Sequence, residues 1–338
     1  MSYQILQTIP LPANGIGIAV APDGRHAYVC NSAGSVSVID TVTYGVTANI
    51  PVGPNLREIA MSPNGSSAYV VSERDDGGVL SVIDTATNTV STTFSLPARP
   101  ASVLAHPDGA RLFLGCFDDN TVRVIDIASQ VNIATIEFTY ADRYLALSPS
   151  GDELYVGHDE DNVVSVVNTT IYAVTSTIGV GDEPVGIAVN SGNARVYVGS
   201  IALNTNRNAG PLNAFSVGEQ ARIWSIPFSP PALAIALNAT DTRAYVGGKG
   251  VFTAVDTGAG QVINAVQTGG EIADLAVQPG KELVYLTNYE QNQVTVIGWL
   301  PDSDQSPWPE LGRLLDTVWA WVLRPIRFIR PPRPTTWW

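Results

Sequence analysis

The chain has 338 residues, 45% of them hydrophobic, with 30 glycines, 23 prolines and a formal net charge of −13. This composition excludes disorder for the body and fits many short strands joined by tight turns. Past residue 298 five arginines face Asp302, Asp304, Glu310 and Asp316, so the body before it carries about −14 and repels phosphate backbones, which argues against nucleic-acid binding.

Residues 1–11 show neither a basic leader nor an apolar run of signal-peptide length, and no stretch of the sequence is long enough to span a bilayer. Residues 5–11 read instead as a single strand ahead of the first repeat. The repeat itself is clearest over residues 63–84. A Pro-Asn-Gly turn leads into the strand 68–71, a polar loop follows, and a second strand covers 81–84. Its aromatic residue returns as Tyr28, Tyr69, Phe113, Tyr155, Tyr197, Tyr245 and Tyr285, at intervals of 41, 44, 42, 42, 48 and 40 residues. A period of about 40–45 residues is the size of a four-stranded propeller blade. The expected fold is therefore all-β, a seven-bladed β-propeller over residues 1–298. The last repeat supplies three strands only, and residues 5–11 should fill its fourth place and close the ring.

Within each repeat a small, apolar innermost strand such as 18–20 or 187–189 is followed by a turn of the Pro22-Asp23-Gly24 kind. Proline presets φ there and glycine takes the positive φ. The third strand ends in Asp40, Asp84, Asp126, Asn168, Ser216 or Asp256, read as a cap on the turn into the outer strand. Repeat five carries the longest insertion, residues 200–211, expected to be an exposed excursion. Cys30 and Cys116 end the second strands of non-adjacent repeats, too far apart for a disulfide, which suits a reducing, cytoplasmic setting. After a proline-rich linker from residue 299, residues 310–324 place Leu311, Leu314, Leu315, Val318 and Val322 at helical spacing. Pro325 ends this predicted amphipathic helix, and the remainder to 338 is rich in Arg, Pro and Trp.

The segments Ala27-Tyr28-Val29-Cys30-Asn31 and Val284-Tyr285-Leu286-Thr287-Asn288, with Val38-Ile39-Asp40-Thr41 and Val82-Ile83-Asp84-Thr85 downstream, resemble the YVTN family of β-propeller repeats, YncE-like in pattern. The resemblance covers residues 1–298. It implies the propeller and not an activity, because propellers host lactonases, dehydrogenase subunits, surface-layer proteins and plain scaffolds alike.

Candidate functional residues fall into three groups. The loops between second and third strands of blades two to four bring Glu73, Asp75, Asp76, Asp118, Asp119, Asp159, Glu160 and Asp161, with Arg74 the one basic residue within those loops. Such a patch attracts a basic protein partner. The loops entering the innermost strands open on the same face, and there Arg57 and Arg143 share one repeat position while Glu58 and Asp274 share the next. Charged side chains at a channel mouth are ligand-site candidates. The tail offers Leu311, Leu315, Trp319, Trp321, Arg324, Arg327 and Arg330 as a second attachment. It would lie on the propeller itself, on a second copy, or on a membrane protein or membrane surface. His26, His106 and His158 sit at opposite ends of their strands and do not converge, so neither a metal nor a cofactor is expected. A non-enzymatic interaction scaffold is the leading expectation. A lactonase-type hydrolase at the channel mouth is the alternative, and single-stranded nucleic-acid binding a third reading that the body charge opposes.

Overall fold

The computed structural model describes residues 1–116, 118–139, 144–202 and 207–300, so the predicted helix over 310–324 and its Arg/Trp-rich continuation lie outside the described residues. Ser2–Trp299 forms one compact unit; the other unit takes Met1 and Leu300–Trp338.

The chain begins with β1 (Ser2–Pro10). Blade one follows as β2 (Gly15–Val20), β3 (His26–Asn31), β4 (Ser35–Asp40) and β5 (Val46–Pro51). Blade two is β6 (Leu56–Met61), β7 (Ser67–Arg74), β8 (Gly77–Asp84) and β9 (Thr89–Leu96). Blade three is β10 (Pro100–Ala105), β11 (Arg111–Cys116), β12 (Thr121–Asp126) and β13 (Val131–Glu137). Blade four is β14 (Leu145–Leu147), β15 (Glu153–His158), β16 (Val163–Asn168) and β17 (Ala173–Gly179). Blade five is β18 (Glu183–Val189), β19 (Arg195–Ile201), β20 (Gly210–Ser216) and β21 (Arg222–Phe228). Each is an antiparallel four-stranded sheet in sequence order.

The remaining strands form one sheet, ordered β1-β27-β26-β25-β24-β23-β22, in which β22 (Ala234–Leu237), β23 (Arg243–Gly247), β24 (Lys249–Asp256) and the first half of β25 (Gln261–Val277) are blade six. The second half of β25, with β26 (Leu283–Asn288), β27 (Gln293–Leu300) and β1, is blade seven. The N-terminal strand thus takes the outer place in the last blade and closes the ring. What the repeat count does not foretell is that two blades share one strand. Gly269 and Gly270 explain it, because consecutive positive φ values of 65° and 64° let β25 turn from one blade to the next without breaking.

Burial follows from the stacking of blades. Second and third strands are covered on both faces: β3, β4, β15 and β16 are buried throughout their middles and apolar there but for Ser37 and Ser165. Outer strands such as β5 and β9 alternate. Among the described residues the core falls into seven apolar clusters, each formed across a seam between adjacent blades; one joins Tyr28 and Val38 of blade one to Ile59, Val70 and Ile83 of blade two.

The repeated Asp-Thr is structural. Asp40 Oδ1 accepts the Val42 and Thr43 N–H at 2.9 and 2.7 Å, and Asp84 does the same for Ala86 and Thr87. These bonds hold both carboxyls below the usual range. The Thr41, Thr85 and Thr169 hydroxyls donate to Gly24, Gly65 and Gly151 O at 2.6, 2.7 and 2.6 Å, tying each third strand to the inner hairpin of its own blade.

Candidate functional site at the channel mouth

Innermost strands in five blades carry a β-bulge near their start, between Gly15 and Ile18, Leu56 and Glu58, Pro100 and Ser102, Pro184 and Gly186, and Ile272 and Asp274. A bulge re-aims the side chain beside it. Glu58 pairs with Val71 and Asp274 with Thr287, each two residues past the repeat aromatic, so the two acids occupy one register on blades two and seven. Ser102, Tyr144, Gly186 and Ala234 occupy it in blades three to six, and Gly17 in blade one. The acids therefore flank a blade that has no side chain at this level. None can be added cheaply, since a Cβ on Gly17 would stand 3.1 Å from Glu58 Cα and 3.2 Å from Arg57 O.

Both carboxyls are half-buried, because they line the wall of the channel, yet protein surrounds them closely. Each reaches a backbone N–H of the following blade. Glu58 Oε2 accepts Val103 N–H at 3.3 Å, and Asp274 Oδ2 accepts Ile18 N–H at 2.9 Å. Asp274 Oδ1 also accepts its neighbour's Leu275 N–H at 2.7 Å. Burial pushes Glu58 up to about 8, and the Asp274 charge adds to it against the Val103 hydrogen bond. Burial likewise raises Asp274, to about 6, against the bonds from Ile18 and Leu275. The two carboxyls repel each other and titrate as a pair in which Asp274 ionises first. Cys30, fully buried on β3 of blade one, faces the same pair, and burial with both carboxylates pushes its thiol far up.

The arginines are differently placed. Arg57 turns outward and pairs with Glu73 at 2.6 Å, while Arg143 lies outside the described residues. On the loops of the same face Asp75, Asp76, Asp118, Asp119, Glu160 and Asp161 are exposed and Glu73 and Asp159 half-buried. Sequence reading credits these loops with one basic residue, Arg74, but folding brings others. Arg123 pairs with Asp119, the Arg99 N–H donates to Asp118 Oδ1 at 2.9 Å, and Arg99 Nη2 reaches Asp75 O at 3.4 Å. At the end of the blade-five insertion Arg207 grips the buried Glu183 with two bonds of 2.7 and 2.5 Å. No local pattern signals Arg99 or Arg207. Arg123 alone was legible, four residues from Asp119 across a hairpin.

His106 and His158 are buried, not surface residues as their turn positions suggest. His106 Nε2 lies 3.1 Å from Gly151 O across the seam to blade four, and His158 Nε2 lies 2.8 Å from Ser165 Oγ. Among the described residues no group of three or more His, Cys, Asp or Glu is arranged to hold a metal ion, and no helix is long and apolar enough to cross a membrane. The tail residues Leu311, Leu315, Trp319, Trp321, Arg324, Arg327 and Arg330 are outside the described residues. A surface hollow of about 580 Å³ between the inner hairpins of blades two and three opens on the opposite face and is lined by Ser62, Asn64, Ser66 and Asp108, which make hydrogen bonds within their own turns. It carries no chemistry comparable to the channel pair.

No protein-family model matches the chain, and no curated protein does either. Solved structures do match. Hydrazine synthase from Kuenenia stuttgartiensis is 19% identical with a TM-score of 0.76, over 86% of this chain and 97% of that one. The β-propeller domain of Cps50 (Swd1) from Myceliophteria thermophila is 12% identical with a TM-score of 0.73, over 88% of this chain and all of that one. At these identities the likeness is one of fold, and the fold is the β-propeller.

Proposed function

We propose that this chain, built of repeats of the YVTN type, is a non-enzymatic interaction scaffold that binds a basic protein partner through the loops between second and third strands of blades two to four. The observation that carries this reading is the display of Asp75, Asp76, Asp118, Glu160 and Asp161, all exposed, on one face of three consecutive blades. Rigid blades hold such charges at fixed spacing, which favours steering and register over raw affinity. Residues 299–338 then supply a second attachment, to protein or to a membrane surface, through the apolar and arginine side chains of the predicted helix. In affinity capture, replacing Asp75, Asp76 and Glu160 by lysine is expected to abolish recovery of partners, and removing residues 299–338 to weaken it. Equal recovery by parent and charge-reversed protein ends the reading.

One observation favours a second reading, a hydrolase of lactone type. Glu58, pushed up to about 8, and Asp274, pushed up to about 6, are an acid and a carboxylate on either side of blade one in a channel wall, the kind of pair general acid–base catalysis uses. Arg57 does not serve it as an anion-binding group while paired with Glu73. A lactone panel assayed with parent and Glu58→Gln decides: turnover lost in the variant supports it, and no turnover in the parent removes it.

A further inference from the structure

Two acid side chains stand at one register on the blades either side of blade one, and blade one puts Gly17 there. Their hydrogen bonds come from backbone: Val103 N–H to Glu58, Ile18 and Leu275 N–H to Asp274. Each acid therefore bridges a seam, blade two to three and blade seven to one. The groups facing them are few. Arg57, on the strand of Glu58, turns to Glu73 on β7. From β3 comes the Cys30 thiol, held protonated, and from β10 the Val103 backbone. Among the described residues no arginine or lysine is hydrogen-bonded to either acid. Two like charges so enclosed, without a cation between them, resist ionising together.

We propose that the Glu58 carboxyl is a proton switch in the channel wall: with its proton it faces Asp274 across Gly17 without like-charge repulsion, and loss of that proton as the pH rises sets two carboxylates against each other and loosens the seams that join blade one to its neighbours. The sign follows from linkage. The folded chain keeps this proton at pH values where an unfolded chain has released it, so stability is full below the ordinary glutamate range and falls as the pH climbs through the folded value. The switch rests on the carboxyl pair alone and does not depend on the binding role of the outer acidic loops.

Cys30 is a built-in reporter. It is fully buried beside both acids, whereas Cys116, equally buried and free, belongs to blade three. Iodoacetamide alkylation, with each cysteine followed by mass spectrometry from pH 6 to pH 9, gives a Cys30-to-Cys116 ratio that removes the pH dependence common to both thiols; because burial pushes the Cys30 thiol up and the Glu58 charge pushes it further, a rise in the ratio reports access and not ionisation. The expected ratio rises about tenfold across that range in the parent protein and stays within about twofold in Glu58→Gln, which keeps an acceptor for Val103 N–H and cannot ionise. A flat ratio in the parent, or the same rise in Glu58→Gln, overturns the switch. Should Glu58→Gln fail to fold, carboxyl NMR of the parent decides: Glu58 titrating well above the ordinary glutamate range, and moving down in Asp274→Asn, supports the proposal. Titration within that ordinary range refutes it.

Discussion

Closing a ring of seven blades with one N-terminal strand concentrates the stability of the whole in a few side chains, and Tyr3 is the most telling of them. Its ring is 2% exposed and meets Tyr245 and Phe252 edge-on at 5.5 and 5.8 Å and Trp299 at 4.7 Å. Its hydroxyl lies 3.0 Å from Tyr245 Oη, donates to Glu282 Oε2 at 3.1 Å and accepts from Arg243 Nη1 at 2.9 Å. Burial would raise the Glu282 carboxyl, but bonds from Tyr245, Asn238 and Tyr3 and the Arg243 charge outweigh it and hold the group low and ionised. Tyr3→Ala removes a packed aromatic ring from this node, a loss of about 3–5 kcal/mol. Tyr3→Phe removes the hydroxyl alone, about 1 kcal/mol, because Glu282 keeps Tyr245, Asn238 and Arg243. With about 2–4 °C lost per kcal/mol in a domain of this size, Tm should fall by roughly 6–20 °C for Tyr3→Ala and by a few degrees for Tyr3→Phe. The assay is calorimetry combined with amide exchange. A closed ring predicts one transition, shifted as a whole, with faster exchange in β27 and in the inner strands of distant blades. If only β1 loses protection while the main transition stays in place, the strand decorates blade seven and does not lock the ring.

Other outcomes are as specific. The turn between third and outer strands passes through a left-handed residue four positions after its cap, Tyr44, Asn88, Gln130, Tyr172 and Gln220, and only blade six uses a glycine, Gly260. At the exposed Gln130, with φ of 59°, Gln130→Gly should raise stability by up to about 1 kcal/mol, read as a higher urea midpoint. The capping carboxyl of Asp84 is held below its ordinary value by the Thr87 backbone and hydroxyl bonds, so it stabilises the fold above the unfolded-chain value and that contribution disappears as the pH falls through the folded one. Asp84→Asn, which blade four tolerates as Asn168, should leave neutral stability nearly unchanged and flatten the loss below about pH 4 in a pH series of unfolding midpoints. Asn213 is wholly buried and neither Nδ2 nor Oδ1 has a partner among the described residues, so Asn213→Leu should raise stability by about 1–3 kcal/mol; a fall would show that the amide is held by something it needs.

What the sequence discloses and what it hides differ by range. Tyr28 and its equivalents, the Pro-Asp-Gly turns and the Asp-Thr ends act within a few residues, so a reader can derive them from turn chemistry and period. Ring closure was legible by arithmetic, because three strands in the last repeat and one spare at the start have a single neat solution. The shared strand β25 was not: Gly269-Gly270 reads as a turn until Asn288, whose Nδ2 donates to Gly269 O, is seen to hold that kink from the next hairpin. At the site the boundary is sharper. That Glu58 and Asp274 share a register follows from repeat alignment alone. That Arg57 leaves the mouth for Glu73, and that Arg207 returns from an insertion to Glu183, depends on strand partners and loop paths that no repeat encodes.

The same distinction explains why charge counts mislead in a propeller. Repetition places like residues on like levels, so a sequence can be read for what each level could hold, but the blades differ in which level they leave empty. Gly17 is such a gap. With a side chain there, the inner strands of blades one and two could not approach as closely as the Cβ distances of 3.1 and 3.2 Å require, and the two acids would be separated by more than backbone. The unusual chemistry of the channel wall therefore comes from one missing side chain as much as from two carboxyls, and a glycine in an alternating strand is the signal that reveals it.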